Sequence, residues 1–312
     1  MVRGEEVFIQ DLRFPGMVHA TVVRPPNYYS RLISVDEKQL KKKVPGILKV
    51  IKDGNFLAVV ADEEYQVLKA QVFLKQYTKW AIDDPLIVAK DFPAFIKSLP
   101  VESENVMHEG KVEHALKENV FRARYFRPYQ MHASIGPSCA IALFENNKLY
   151  IWSHSQGVYP LRESLKKLLN MDEKDIHIKG VPGSGCYGHN GADDVAADCA
   201  IAALAYPGKH VRMQWSRDDE HAWEPYGSAM LLESEATLDQ EGKIASWKFE
   251  LWSDSHSTRP GGEAAQLLPA RYLKNPHTLT SSGFKGGALR NSQPYYKIPN
   301  VQVDFHYFKG PL

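Results

Sequence analysis

Apolar and polar positions alternate in short runs along most of the chain, and Gly, Pro, Asn or Asp punctuates the runs. Val7-Phe-Ile-Gln-Asp-Leu and Met17-Val-His-Ala-Thr-Val-Val predict two strands, with Arg13-Phe-Pro-Gly16 turning the chain between them. Arg24-Pro-Pro-Asn-Tyr reads as a loop. Ser34-Val-Asp-Glu37 has capping-box form and opens a short charged helix through Lys43. Ile47-Leu-Lys-Val-Ile and Asn55-Phe-Leu-Ala-Val-Val predict strands joined across Asp53-Gly54, a hairpin dipeptide. Asp62 then caps a helix reaching about Thr78, with Tyr65, Leu68, Val72 and Leu74 as its expected core contacts. From Asp84 to about Glu118 the pattern loosens. Pro85, Pro93, Pro100 and a charged run predict a connecting segment with little core of its own.

Order returns at Phe121-Arg-Ala-Arg-Tyr-Phe. Ala140-Ile-Ala-Leu-Phe and Lys148-Leu-Tyr-Ile-Trp-Ser predict strands around an Asn146-Asn147 turn, and Pro160 starts a helix over Leu161 to Leu169. Asp175-Ile-His-Ile-Lys-Gly alternates as a strand does, whereas the Ala-rich run from Asp194 to Ala205 reads as a helix. Between them lie Gly183, Gly185, Gly188 and Gly191 in Gly-Val-Pro-Gly-Ser-Gly-Cys-Tyr-Gly-His-Asn-Gly. Glycines let a backbone take positive φ and approach a ligand closely, and a helix start presents free N–H groups. The junction is therefore a candidate cradle; the plain alternative is a glycine turn serving packing alone. His210-Val-Arg-Met-Gln-Trp-Ser predicts a strand, Ala229 to Leu238 and Lys243 to Trp252 a hairpin, and Val301 to Phe308 a last strand with nothing after it to pair with. The chain thus reads as a fragment of a longer polypeptide. The predicted division is 1–92, a connecting segment 93–120, and 121–312.

Composition narrows the function classes. Over 312 residues the net charge is +1, which gives no electrostatic case for nucleic acid or an anionic membrane. No apolar run reaches the length of a membrane span, and the start lacks the apolar core of a signal peptide. Cys139, Cys186 and Cys199 lie far apart, which argues against a zinc module, an iron–sulfur cluster or a disulfide framework here. The default compartment is the cytoplasm, with periplasmic export of the parent protein left open.

Gly183-Ser-Gly-Cys-Tyr-Gly188 matches the spacing of a dinucleotide-binding fingerprint. However, the preceding strand is half polar, His189-Asn-Gly191 extends the loop before the helix, and no acidic residue follows at the required distance. Asp193 and Asp194 would occupy the helix's own amides and repel a phosphate there, which moves the ligand-facing amides to Cys186–Gly188. Ser153-His-Ser-Gln156 ends a strand, where polar residues often line a site. His132 and Ser134 fit either a pocket wall or a structural role. Arg217-Asp-Asp-Glu-His and Trp223-Glu-Pro-Tyr read as a salt-bridged surface turn.

In order, these motifs resemble a known family. Phe8-Ile-Gln-Asp-Leu-Arg-Phe-Pro-Gly-Met-Val-His-Ala-Thr-Val-Val-Arg-Pro-Pro resembles the opening of the α/β-hammerhead domain of the molybdenum hydroxylases, the xanthine dehydrogenase and aldehyde oxidase family. Trp152-Ser-His-Ser-Gln-Gly-Val-Tyr-Pro, Gly185-Cys-Tyr-Gly-His-Asn-Gly-Ala-Asp-Asp and Val211-Arg-Met-Gln-Trp-Ser-Arg-Asp-Asp-Glu resemble its first molybdopterin-binding domain. The resemblance is greatest to the bacterial branch of isoquinoline 1-oxidoreductase β subunits and nicotinate dehydrogenase large subunits. It implies an α+β fold, with a hammerhead domain over 1–92 and part of the first cofactor domain over 121–312. It further implies hydroxylation of an N-heterocycle or aldehyde with oxygen from water, at molybdenum held by a molybdopterin in cytosine dinucleotide form.

The resemblance also assigns roles. Gln156 matches the glutamine whose amide lies near the oxo ligand of molybdenum, and Tyr187 and Gly188 match the Phe-Gly pair beside the metal. Gly185 and Cys186 complete the expected cofactor-binding set, and no residue of this chain ligates the metal directly. Gly191 stands where some members carry a substrate-binding Glu, and Gly136 replaces a common Glu; His132 matches a family His. The catalytic general base, a Glu, is expected beyond Leu312, so 1–312 alone is expected to be inactive and to bind no cofactor. A small [2Fe-2S] subunit is the expected electron-transfer partner. The rival readings are a non-catalytic assembly scaffold and a Rossmann-type dehydrogenase.

Overall fold

A computed structural model describes residues 3–5, 7–83, 89–115, 119–256, 259–278 and 286–310. The architecture is α+β, with fourteen strands in three sheets among the described residues. It divides into two compact units, each assembled from three stretches of chain.

The first unit takes in Met1–Leu86, Met131–Pro225 and Arg259–Thr280. Its seven-stranded mixed sheet runs in the order Ile176–Gly180, Lys148–Ser153, Cys139–Glu145, His210–Gln214, Val18–Val22, Phe56–Ala61 and Ile47–Asp53. The central junction is a parallel pairing of Val18–Val22 with His210–Gln214, in which Val18 faces Val211. Phe56–Ala61 reads Phe-Leu-Ala-Val-Val-Ala and is buried throughout, as a strand covered on both faces must be. Helix Ala192–Ala205 packs on the sheet. Its alanines hold no bulk to keep the helix axis away, and Val195, Cys199 and Ala203 are fully buried with Ala140, Ala142 and Met213. Helix Val158–Leu169 covers the neighbouring strands with Leu161, Leu165 and Leu168.

The second unit, Ile87–Gln130, Tyr226–Thr258 and Ser281–Leu312, is built on a five-stranded sheet. The order is Val101–Glu109, Asn300–Phe308, Ile244–Ser253, Met230–Leu238 and Phe121–Arg127. Val303, Phe305 and Leu251 form its core, and helix Phe92–Ser98 adds Ile96 beside Trp252 and Phe308.

Most predicted elements stand, and several are corrected. Val7–Leu12 is a turn rather than a strand: the Ile9 amide donates to Pro182 O and the Asp11 amide to Phe8 O, which closes the chain on itself. The first short helix is Glu37–Lys43, capped by Asp36, whose carboxylate accepts from Gln39 N, and not by Ser34. The long helix is Glu64–Tyr77, capped by Glu63 and Gln66. Its buried face is Val67, Ala70, Gln71 and Leu74, so only Leu74 of the four expected contacts is in the core. The polar Gln71 is drawn inward because its amide donates to Val22 O and Asp219. The stretch expected to connect has a core after all, through Ile96 and the strand Val101–Glu109; Pro85 lies outside the described residues. The last strand is flanked on both sides, parallel to Ile244–Ser253 and antiparallel to Val101–Glu109. The expected surface turn at Arg217 is the helix Arg217–Trp223, with Asp219, Glu220 and Trp223 buried.

Candidate functional site

The site follows from strand direction. Ile176–Gly180 runs parallel to Lys148–Ser153, with Gly180 facing Ser153. Both strands therefore release their chains at the same edge of the sheet. Ser153 leads into His154-Ser-Gln156, and Gly180 leads into the glycine loop. Cys139 begins its strand at that edge, since Ala140 faces Ser153, and Gln214 ends opposite Cys139. Four connections of the first unit meet along one rim: 131–138, 154–157, 181–191 and the start of helix Arg217–Trp223. In open sheets, such a rim at strand C-termini is where ligands bind.

The glycine loop is held in an unusual conformation. Gly185 has φ of +103° and Gly188 of +142°, and Tyr187 between them sits in the left-handed region at +53°. A non-glycine residue keeps such a backbone only where its surroundings overdetermine it. Side chains do so here. Asn190 donates to Gly185 O at 3.0 Å and accepts from Ala192 N at 3.2 Å, while the Cys186 thiol donates to Gly188 O at 3.0 Å. The Arg259 guanidinium also donates to Gly188 O. At Gly188 a side chain would collide with the His132 imidazole, 2.0 Å from where a Cβ would lie. At Gly183 the same space is filled by His154.

The rim is wired together by buried polar groups. Ser155 Oγ donates to Asp193 Oδ1 at 2.5 Å, joining the loop that carries Gln156 to the first turn of helix Ala192–Ala205. Glu220 is fully buried and accepts from Ser138 N at 2.8 Å, Ser138 Oγ at 2.9 Å and Gly191 N at 3.3 Å. Cys139 N donates to His154 Nε2 at 3.2 Å, so this imidazole is neutral with its proton on Nδ1. Burial holds its pKa down at about 4 despite the nearby Asp193. Burial also raises the Glu224 carboxyl, and together with the neighbouring His189 it lowers His132.

The expected site residues are placed as follows. Gln156 is exposed and immediately precedes Gly157, the N-cap of helix Val158–Leu169. Tyr187 and Gly188 are exposed, and Gly185 and Cys186 are half-buried. Asp193 does not cap its helix. The N-cap is Gly191 without a side-chain cap bond, and the Asp193 carboxylate is spent on Ser155 and on His189 at 3.2 Å. Asp194 turns inward to accept Leu268 N at 2.7 Å, and burial raises its pKa to about 6. The helix begins at Ala192, outside the glycine triplet, so the geometry of a dinucleotide fingerprint is not formed. The roles of His154, Glu220, Glu224 and Arg259 are not visible in the sequence. The capping pattern at Ser216 is the signal available for the two glutamates, since it marks a helix rather than a turn.

The donor set suits a group rich in oxo, sulfur and phosphate oxygen atoms. Both acidic side chains at the helix start are buried and internally satisfied, so they do not meet a ligand at the rim. What faces outward is a neutral amide, Gln156, and a loop with positive-φ glycines, with the Arg259 cation beside it. A separate hollow of about 580 Å³, bordered by Ser34, Asp36, Gln39, Tyr77 and Lys79, touches none of these residues.

Comparison with known proteins bears on this geometry. Residues 98–276 match the molybdopterin cofactor-binding domain family. The large, B-type subunit of nicotinate dehydrogenase from Pseudomonas putida is 36% identical over 257 residues, an alignment covering 79% of this chain and 21% of that protein. Among solved structures, quinoline 2-oxidoreductase from Pseudomonas putida superposes with a TM-score of 0.71 at 15% identity, over 98% of this chain and 42% of the other. The aldehyde oxidoreductase of Desulfovibrio gigas superposes with a TM-score of 0.69 at 16% identity, over 95% of this chain and 35% of the other. At these identities the structural matches speak for the fold. The chain spans less than half the length of each.

Proposed function

Because this chain belongs to the molybdenum hydroxylase family, that of the xanthine dehydrogenases and aldehyde oxidases, we propose that it forms part of the molybdenum-cofactor-binding subunit of a hydroxylating oxidoreductase. The observation that carries the reading is the shared sheet edge. It gathers the Gln156 loop and the Gly185–Gly188 loop within the stretch that matches the cofactor-binding family. The substrate class is an electron-poor carbon of an N-heterocycle, in line with the nicotinate and quinoline named for two relatives. An aldehyde is the second choice, after the aldehyde oxidoreductases.

When bound, a molybdenum pterin group supplies a two-electron acceptor and an oxygen ligand derived from water. In this reading Gln156 directs its neutral amide to an oxo oxygen, donating a hydrogen bond without competing for the metal. The Gly188 main chain stands beside the group, with no Cβ to keep the ligand away. Gly185 and Cys186 shape the loop, and the Tyr187 ring forms a wall toward substrate. Arg259 offsets negative charge at the rim. The sequential division belongs to the same reading, with a hammerhead domain at 1–92, a connector at 93–120 and a partial cofactor domain at 121–312. So do the cytosine dinucleotide form of the pterin, a small [2Fe-2S] partner subunit and a cytoplasmic location. The general base lies outside this chain.

The test is expression of the full reading frame together with its neighbouring genes. One molybdenum and one pterin per subunit, with N-heterocycle turnover using an artificial acceptor, is the expected result. The 312-residue chain alone should give neither. A folded full-length subunit that acquires no molybdenum would overturn the assignment.

A further inference from the structure

Glu224 stands at the C-cap of helix Arg217–Trp223, 1% exposed, and no requirement of that helix explains a carboxyl group there. Its Oε1 accepts the His132 amide and lies 3.7 Å from His132 Nδ1, while its Oε2 is buried without a hydrogen-bond partner. The amide of Ala133 also faces the carboxylate, and Ala133 is in the left-handed region at φ +53°. Successive amides around a left-handed residue form a concave nest that holds an anion, and here the anion is a side chain of the same unit. The product of this arrangement is the position of His132. Its ring fills the space where Gly188 would carry a Cβ, and so it sets how far the Gly188 main chain can retreat. One turn earlier Glu220 holds Ser138 and Gly191, so the helix secures both ends of the facing loops.

We propose that Glu224 is a positioning residue for the ligand-facing main chain at Tyr187–Gly188, acting through the nest at His132–Ala133. The proposal rests on the assignment of that loop to the cofactor, but its mechanical part can be read without any cofactor.

Three variants of the full-length subunit, expressed with its partners, test it: Glu224→Leu, Glu224→Gln and His132→Ala. Amide hydrogen exchange over 185–191 is the first readout, with the strand Phe56–Ala61 as the control for global folding. Glu224→Leu and His132→Ala should each raise exchange in 185–191 by about tenfold or more, as expected for local opening, with the control unchanged. Glu224→Gln keeps an acceptor for the His132 amide and should stay within about twofold of the parent. Pterin content is the second readout and should fall in Glu224→Leu and His132→Ala and recover in Glu224→Gln. Unchanged exchange at 185–191 in both Glu224→Leu and His132→Ala overturns the proposal. So does equal damage in Glu224→Gln and Glu224→Leu. If Glu224→Leu does not fold, His132→Ala against Glu224→Gln decides the matter alone. Absence of pterin from the parent itself would instead overturn the functional assignment and leave the exchange result standing.

Discussion

Arg24 and Asp198 form an ion pair at 2.5 Å whose side chains are 3% and 0% exposed. Trp215 Nε1 donates to the same carboxylate oxygen at 3.0 Å, and the guanidinium lies against the rings of Trp215 and Tyr272. Removing one member of a buried pair strands the other charge, which typically costs about 3–5 kcal/mol, whereas replacing both by apolar groups can be neutral. Asp198→Asn should therefore lower unfolding stability by an amount of that order in urea titrations. The double variant Arg24→Met with Asp198→Leu should recover most of it. A single variant as stable as the parent would show that the pair is not charged.

The pH dependence of stability has two opposed parts. Burial raises the Asp194 and Asp198 carboxyls to about 6, above the ordinary value of 3.8. The folded state then holds their protons more tightly, and this contribution is full below pH 3.8 and lost as pH rises through about 6. Burial lowers His154 from 6.5 to about 4, so its contribution is full above 6.5 and lost as pH falls toward 4. In His154→Gln, whose amide oxygen can still accept Cys139 N, the decline below pH 6.5 should be shallower by up to about 1.4 kcal/mol per pH unit. Chemical denaturation at about pH 4, 5, 6 and 7 measures this, and parallel curves would contradict a neutral His154.

Two glycines separate backbone strain from crowding. Gly208 has φ of +80° with open space around it, whereas Gly188 at +142° is pressed by His132. Gly208→Ala should cost about 1–2 kcal/mol from conformation alone. Gly188→Ala should cost more and reduce pterin content in the full-length subunit. Equal costs in thermal melts, with pterin retained, would remove the case for a close approach at Gly188.

Gln156 distinguishes chemistry from stability most cleanly. Its side chain is exposed just before the N-cap at Gly157, so Gln156→Ala should change unfolding stability by no more than about 0.5 kcal/mol. Turnover by the loaded, full-length enzyme should nevertheless fall by about 10–100-fold, somewhat below the loss typical of removing one preorganised donor. Turnover within about twofold of the parent would exclude Gln156 from the site.

Short-range features of this chain were legible in sequence, and features created by tertiary structure were not. The Asn146-Asn147 turn has both residues at positive φ, and the helix Ala192–Ala205 falls where its alanines predict. These depend on local backbone preference. The helix Glu64–Tyr77 was misphased because Gln71 is buried by partners far away in sequence, Val22 and Asp219. The polar run at Arg217 looked like surface because Glu220 and Glu224 are buried by the amides of 132–138 and Gly191, which no local pattern reveals. At the candidate site, the glycine loop and Gln156 could be named from motif order. That the loop is locked by His132 and Arg259 required the fold.

The pairing of Val18 with Val211 carries a consequence for how the protein is made. A ribosome adding about 5–20 residues per second leaves Val18–Val22 waiting on the order of ten seconds or more for its parallel neighbour. During that time one side of the strand can pair only with Phe56–Ala61, and the other is an open apolar edge. The same delay affects Val101–Glu109, whose partner is Asn300–Phe308. Both sheets are closed by late segments, which favours slow folding and exposes early chains to mispairing. Chaperone demand during synthesis is thus set by the topology of the very sheet that aligns the Gln156 and Gly188 loops.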